Sequence, residues 1–128
     1  MASSFRDLRV WRQAMELVFA VYQETRGFPK EEMYGLTAQM RRAAVSVPSN
    51  IAEGKGMSSD AEFKRFLYHA RGSPMELQTQ ILIAQELQYL SKEKAESLLE
   101  RCTAIGRSLA GLINSLKGLV AQGTRDGI

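Results

Sequence analysis

Apolar residues recur at helical spacing in four stretches of the chain. The first stretch runs from about Phe5 to Arg26 and ends at Gly27, a residue type that commonly follows the last turn of a helix. Its apolar positions form two neighbouring stripes: Leu8, Trp11, Met15, Val18 and Tyr22 in one, and Val10, Ala14, Leu17 and Val21 in the other. Two stripes on one helix predict burial against more than one neighbour, either within the domain or on another subunit.

The second and third stretches each contain a proline inside an unbroken apolar pattern. The pattern of the second stretch begins near Lys30 and continues past Pro48, and that of the third continues past Pro74. Proline removes a backbone donor and crowds the preceding turn, so a helix that contains it bends. We therefore predict kinked second and third helices, and we do not expect either to split in two.

Short polar segments separate the helices. Gly54 and Gly56 are expected to end the second helix, and Ser58 or Ser59 to cap the third, because Ser59 stands three residues before Glu62. The fourth stretch has the most regular seam, formed by Ala95, Leu98, Cys102, Ile105, Leu109, Leu112, Leu116 and Leu119. The pattern predicts an all-α, antiparallel up-down-up-down four-helix bundle over residues 1–121, followed by a flexible tail over residues 122–128.

Composition agrees with one folded domain in a reducing compartment. The chain has 128 residues, of which 45% are hydrophobic and 24% charged. The single cysteine, Cys102, excludes an intramolecular disulfide. No apolar run approaches the roughly 18 residues of a membrane span, and the N-terminal segment is charged where a signal peptide is apolar. We expect a cytoplasmic protein that is neither exported nor inserted in a membrane.

Residues that could support catalysis are few. His69 is the only histidine, and Phe66 occupies the position where a di-iron bundle would carry glutamate. Cys102 lies on the core seam, and the glycines of residues 52–59 lack the spacing of a phosphate-binding loop. We therefore expect no catalytic residue, no cofactor and no metal.

Three polar residues interrupt the small apolar residues of the second helix. Asn50 and Glu53 are three positions apart and share a side of the helix with Ser46 close by. Either they cap the helix end and face water, or they form a hydrogen-bonded network that sets register with the third helix or a neighbouring subunit. Neither interpretation makes them catalytic.

Basic residues provide the remaining functional signal. The net charge is +3, and residues 1–72 hold 11 basic and 8 acidic side chains. Two ridges are predicted on neighbouring helices: Arg41, Arg42 and Lys55 on the second, and Lys64, Arg65 and Arg71 on the third. These ridges either bind a phosphate backbone without reading sequence or are an ordinary solvated face. We expect bases to go unread because Phe63, Phe66 and Tyr68 are assigned to the core or to an interface.

Several segments carry a resemblance to a known family. DLRVW, FPKEEMYGL, QMRRAAVSVPSNIAEG and the ARGS of residues 70–73 resemble small bacterial four-helix-bundle proteins encoded in intervening sequences of 23S ribosomal RNA genes. Relatives of these proteins include the accessory variability determinants of diversity-generating retroelements. The resemblance spans residues 5–120 and implies a ring-shaped homopentamer that contacts RNA or DNA and assists a reverse transcriptase.

Self-association is also indicated by the residues themselves. The double stripe of the first helix and an apolar cluster on the third exceed what one bundle can bury; that cluster comprises Ile81, Leu82, Ile83 and Leu87. Two functions stay open. One is a non-enzymatic, homo-oligomeric factor that binds nucleic acid, and the other is an oligomeric scaffold for another protein without any nucleic-acid role.

Overall fold

Four α-helices account for most of the chain. The computed structural model describes the backbone of residues 4–127 and the side chains of residues 4–116. The helices are α1 (Arg9–Thr25), α2 (Leu36–Lys55), α3 (Asp60–Glu86) and α4 (Lys92–Gly127), with short 3-10 turns at Phe5–Asp7 and Lys30–Glu32. No strand occurs in this described part, and the all-α prediction is confirmed.

The helices form an antiparallel bundle. Each of α1 and α3 packs against both α2 and α4, and within the described residues no Cα atoms of a diagonal pair lie within 8 Å of each other. Between α1 and α4, the Ser108 hydroxyl donates to Gln13 Oε1 at 2.8 Å, and Lys94 Nζ lies 3.4 Å from Glu24 Oε1. In these two contacts the residue number increases along α1 and decreases along α4, so the two helices are antiparallel. The predicted antiparallel four-helix bundle is confirmed. None of the helices, as far as they are described, has an apolar segment that could cross a membrane.

Only one of the two apolar stripes of α1 lies fully in the core. The buried stripe comprises Val10, Ala14, Leu17 and Val21. In the other stripe Val18 is buried, whereas Met15 is half-buried and Tyr22 is exposed. Phe19 is also exposed and belongs to neither predicted stripe. The bundle therefore leaves part of the apolar surface of α1 uncovered.

Helix starts differ from prediction at α2 and agree at α3. The second helix begins at Leu36, because Lys30–Glu32 form a 3-10 turn. Glu32 serves this start directly, since its Oε1 accepts a hydrogen bond from the Leu36 amide at 3.3 Å. Ser59 caps α3, and its hydroxyl oxygen accepts from the Glu62 amide at 3.1 Å. The predicted Ser59 cap is confirmed.

Both prolines lie inside continuous helices. Pro48 lies within α2 and Pro74 within α3, and both prolines are buried. Neither helix splits at its proline, and the predicted kinks stay predictions.

The assignment of Gly54 as a stop was wrong, because α2 continues to Lys55 and Gly56 occupies the C-cap. Gly54 instead allows close packing. A Cβ added to it would lie 2.6 Å from the Phe66 Cβ on α3.

The core seam of α4 departs from strict heptad spacing near its end. The seam is buried from Ala95 to Leu109 as predicted, but Ile113 then takes the core position expected for Leu112, which is half-buried. A straight helix drifts by about 20° per heptad against a strict seven-residue repeat, and this drift shifts the seam by one residue. The side chain of Leu119 lies outside the described residues, and the predicted flexibility of the tail over residues 122–128 is not tested.

Candidate nucleic-acid interface

Arg41 is held at the boundary between α1 and α2. Its Nε donates a hydrogen bond to Thr25 Oγ1 at 2.9 Å, and its guanidinium carbon lies 4.6 Å from the centre of the Tyr22 ring. The buried Thr25 hydroxyl in turn donates to the Val21 carbonyl at 2.7 Å. Hydrogen bonding and the cation–π contact together fix the orientation of the guanidinium. Thr25 and Tyr22 both belong to α1, so these contacts of Arg41 could not be predicted from the residue pattern of α2 alone.

Arg42 is adjacent in sequence but faces a different helix. Its exposed side chain lines a shallow hollow between α2 and α3 together with Ser46, Ser73 and Glu76. Successive helical residues point about 100° apart, so Arg42 is directed towards α3 more than Arg41 is. Arg42 also lines a hollow on the α1 side of α2 together with Arg41, so its charge is available on both sides of the helix.

The turn between α2 and α3 carries a second group of basic residues. Lys55 Nζ lies 5.7 Å from the centre of the buried Phe63 ring. Arg65 stacks over Phe66 at 4.7 Å and forms an exposed ion pair with Glu62, with 3.1 Å between Nη2 and Oε2. An exposed ion pair of neighbouring helical residues is weak, so Arg65 remains able to exchange its partner for a phosphate.

Arg71 and Lys64 complete the set predicted from the sequence. Arg71 is exposed, with its guanidinium carbon 6.0 Å from the Tyr68 ring centre, and Lys64 is half-buried. Arg41 and Lys55 are 14 positions apart on α2, or about 21 Å along the axis. The six basic residues thus do not converge on one pocket. They are distributed along the bundle.

The expectation that this surface lacks exposed aromatic rings was wrong. Tyr34 is 96% exposed, and Tyr22 and Tyr68 are also exposed, whereas Phe63 is buried as expected. Tyr34 lies in the turn before α2, outside the periodic pattern on which the expectation rested. Tyr68 follows the core residue Leu67 and so points away from the bundle axis. Exposed rings therefore occur next to basic groups, as at Tyr22 with Arg41 and at Tyr68 with Arg71.

The three polar residues of α2 do not form a single network. Ser46 is half-buried and its hydroxyl forms a hydrogen bond with the Ser73 hydroxyl of α3. Asn50 Nδ2 donates to the Ser46 carbonyl at 2.8 Å within α2. Glu53 is exposed, and no hydrogen bond joins it to either residue. Of the three residues, Ser46 forms the hydrogen bond between α2 and α3, and its partner Ser73 was not singled out from the sequence.

Cys102 and His69 have opposite environments. Cys102 is fully buried, and its burial raises the pKa of the thiol from 9.0 to about 12, so the thiol stays protonated at neutral pH. His69 is exposed on α3 and lies against the Phe66 ring, with 6.4 Å between ring centres. Within the described part of the chain, no group of three or more histidine, cysteine, aspartate or glutamate side chains could hold a metal ion.

Comparison with known proteins gives a family match and a structural match. The family model described as 23S rRNA-intervening sequence protein matches residues 6–111. Among solved structures, the fold is similar to a protein of unknown function from the S23 ribosomal protein family of Bacteroides thetaiotaomicron. The TM-score is 0.76 at 22% sequence identity, and the alignment covers 82% of this chain and 95% of the other. No curated protein matches.

Proposed function

Because the chain belongs to the 23S rRNA-intervening sequence protein family, we propose that it is a non-enzymatic, homo-oligomeric factor that binds RNA or DNA through the phosphate backbone. Base sequence plays no part in this binding. Its phosphate contacts come from the six basic residues of α2 and α3, which are Arg41, Arg42, Lys55, Lys64, Arg65 and Arg71.

The observation that carries this proposal is the pairing state of these side chains. Among the described residues, Arg65 alone of the six forms an ion pair with a carboxylate. The basic residues Lys94 and Arg101 of α4 are instead paired with Glu24 and Glu16 of α1. Positive charge on α2 and α3 is therefore available to an external anion, and a phosphate backbone is the polyanion that a spread-out set of cations fits.

Titration of nucleic acids under two salt conditions tests the proposal. Nuclease-treated protein is titrated into labelled structured RNA, DNA duplex and RNA–DNA hybrid at low and near-physiological salt, and binding is followed by fluorescence anisotropy. We expect binding to weaken steeply with salt, because neutralised phosphates release counterions. No binding at low salt would contradict the proposal.

A matched pair of variants separates site-specific binding from loss of net charge. Arg42→Gln with Lys64→Gln removes two unpaired cations, and Lys94→Gln with Arg101→Gln removes two paired ones. On duplex, the first variant should lower the slope of log affinity against log salt by about 1.8, at about 0.9 per lost phosphate contact. The second variant should leave the slope near that of the wild type. Equal effects of the two variants would contradict the assignment to α2 and α3.

The homo-oligomer part of the proposal is supported by an apolar stripe on α3. Tyr68, Met75 and Leu82 are all exposed and follow each other at intervals of seven residues. Ile83 and Leu87 extend the exposed apolar surface, whereas Ile81 lies in the core. A heptad-spaced stripe on a helix surface is typical of packing against another helix, and a second copy of the chain would supply one. The resemblance described above adds a ring of five subunits to this proposal.

The same stripe supports a second candidate function. A scaffold that binds another protein would also use an exposed apolar face, and a reverse transcriptase is the partner that the resemblance to retroelement accessory proteins adds. Absence of nucleic-acid binding together with an oligomeric native mass would favour this candidate.

The non-enzymatic part of the proposal is supported by the environments of the single cysteine and the single histidine, two residue types that often act in catalysis. The chain has one cysteine and one histidine, and the buried thiol of Cys102 is separated in environment from the exposed ring of His69. The raised pKa of that thiol disfavours the nucleophilic thiolate.

A further inference from the structure

A groove lies where the end of α1 meets the start of α2, and the residues that line it have an unusual charge distribution. It consists of two adjoining hollows, of about 450 and 300 Å3, which share Met33, Thr37 and Arg41. We call it the α1–α2 groove. Its other lining residues include Tyr22, Thr25, Arg26, Lys30, Tyr34 and Arg42.

Every charged side chain of the lining is cationic. Arg26, Lys30, Arg41 and Arg42 contribute to it, and neither hollow is lined by an aspartate or glutamate. The nearby Glu32 is engaged elsewhere, because its carboxylate accepts hydrogen bonds from the Leu36 amide and the Tyr89 hydroxyl. The groove is therefore electrostatically complementary to an anion.

A buried polar atom in the groove lacks a partner. Thr37 is only 4% exposed and lines both hollows, yet its hydroxyl oxygen forms no hydrogen bond. Buried hydroxyl groups are nearly always satisfied, since leaving one unpaired costs stability. Threonine in a helix populates two χ1 rotamers, so rotation about the Cα–Cβ bond can turn this hydroxyl towards the groove, where the hydrogen-bonding group of a bound ligand would satisfy it.

Two large side chains at the groove are highly exposed, and no packing against other residues accounts for their position. Tyr34 is 96% and Met33 51% exposed. The Tyr22 ring is already covered by the guanidinium of Arg41, whereas Tyr34 has no ring or cation contact among the described residues. An uncovered tyrosine beside fixed cations is the arrangement that stacks a nucleobase next to its phosphate.

We infer that the α1–α2 groove binds an unpaired nucleotide of a single-stranded nucleic acid. Tyr34 stacks on the base, Arg41 and Arg42 bind the adjacent phosphate, and the Thr37 hydroxyl pairs with a polar atom of the nucleotide. This inference rests on the proposed function and deepens it, because it adds a preference for unpaired strands to binding by charge alone. An acidic peptide would satisfy the cations but presents no planar ring to Tyr34.

A strand with bases and one without them provide the decisive comparison. A single-stranded oligouridylate and an abasic strand with the same number of phosphates are titrated into the full-length protein at one salt concentration. Stacking of one base contributes a factor of about 5 to 160 in affinity, and the wild type should prefer the intact strand by a factor in this range.

Variants locate the preference within the groove. Tyr34→Ala should remove the preference for the intact strand and leave binding of the abasic strand unchanged. Thr37→Val should reduce this preference without changing the shape of the side chain. Phe19→Ala is the matched control, because Phe19 is another exposed aromatic residue that does not line the groove. This control should keep the full preference.

Each contrary result has a distinct meaning. Equal affinity for intact and abasic strands would overturn the groove inference and leave phosphate binding intact, whereas binding to neither strand would remove the proposed function as well. If uridine monophosphate bound as tightly as the oligomer, the groove would be a site for a free nucleotide. A lower native mass of Tyr34→Ala, without loss of base preference, would assign the groove to a second copy of the chain.

Discussion

The hydroxyl group of Tyr89 donates a hydrogen bond to Glu32 Oε2 at 2.9 Å, across a sequence separation of 57 residues. Tyr89 lies in the connection between α3 and α4, and Glu32 in the one between α1 and α2. Tyr89 also packs on Phe28, with 5.3 Å between ring centres. These contacts join the two connections at one end of the bundle, next to the α1–α2 groove.

The ionisation of Tyr89 should report on this hydrogen bond. Donation to Glu32, with smaller contributions from burial and from the negative charges of Glu32 and Glu31, raises the pKa of Tyr89 above its usual 10.0. Since the folded state has the higher pKa, this stabilisation is complete below pH 10 and is lost as the pH rises through the folded value. Subtracting the ultraviolet titration of Tyr89→Phe from that of the wild type isolates this residue. Glu32→Gln should move its pKa back toward 10, and an unchanged titration would contradict the assignment.

Among the glycines of residues 4–116, Gly54 should be the one that least tolerates a larger side chain. A Cβ at this position would lie 2.6 Å from the Phe66 Cβ and 3.1 Å from Phe63 Cδ1, so α2 and α3 would have to separate. We expect Gly54→Ala to lower the free energy of unfolding by about 1 to 3 kcal/mol, the usual cost of overpacking. Urea denaturation measures this change.

Gly72 provides the control for that experiment. It lies within α3 and is exposed, and a Cβ added to it would meet no atom within 4 Å. Alanine is favoured over glycine in a helix by about 1 kcal/mol, so Gly72→Ala should stabilise the protein. If both variants changed stability alike, the close approach at Gly54 would not be the cause.

The hydrogen bond between Ser46 and Ser73 should couple α2 to α3. Ser46→Ala removes this bond and one to the Ala43 carbonyl, and should cost about 1 kcal/mol of stability. A double-mutant cycle with Ser73→Ala should give a coupling energy of at least about 0.5 kcal/mol. The control is Ser49→Ala, because Ser49 is exposed and bonds only within its own helix. Additive effects of the two serine variants would show that the contact contributes nothing.

The apolar stripe of α3 should determine the oligomeric state. Met75 is 66% exposed at the centre of the stripe, and a glutamate there would place charge in any interface that covers it. We expect the wild type to have a native mass several times 14.3 kDa and Met75→Glu to have a smaller one, as measured by light scattering. Met57→Glu, in the turn between α2 and α3, is a control for exposed apolar residues in general. A monomeric wild type would end the homo-oligomer proposal.

Periodicity was sufficient to predict the helices and the bundle, because each helix must bury one face. It could not predict where the helices meet. The roles of Gly54 and of the Ser46–Ser73 pair depend on the distance between α2 and α3, which no pattern within one helix contains. The seam of α4 moved from Leu112 to Ile113 for a similar reason, since a strict repeat ignores the drift of a straight helix.

The candidate site was predicted in part. All six basic residues could be named from the sequence, but the anchoring of Arg41 by Thr25 and Tyr22 involves another helix. Tyr34 was overlooked because it lies in a turn, where apolar spacing gives no information on exposure. The surface therefore has more aromatic character than the sequence indicated.

The burial of Cys102 makes this chain a reporter of its own opening. As its only cysteine is fully buried, a thiol reagent can label a molecule only after the core has opened around α4. The rate of labelling then measures how often this happens, without any introduced probe. Because a bound partner slows opening by stabilising the closed state, the same reaction can rank ligands, including those whose binding gives no optical signal.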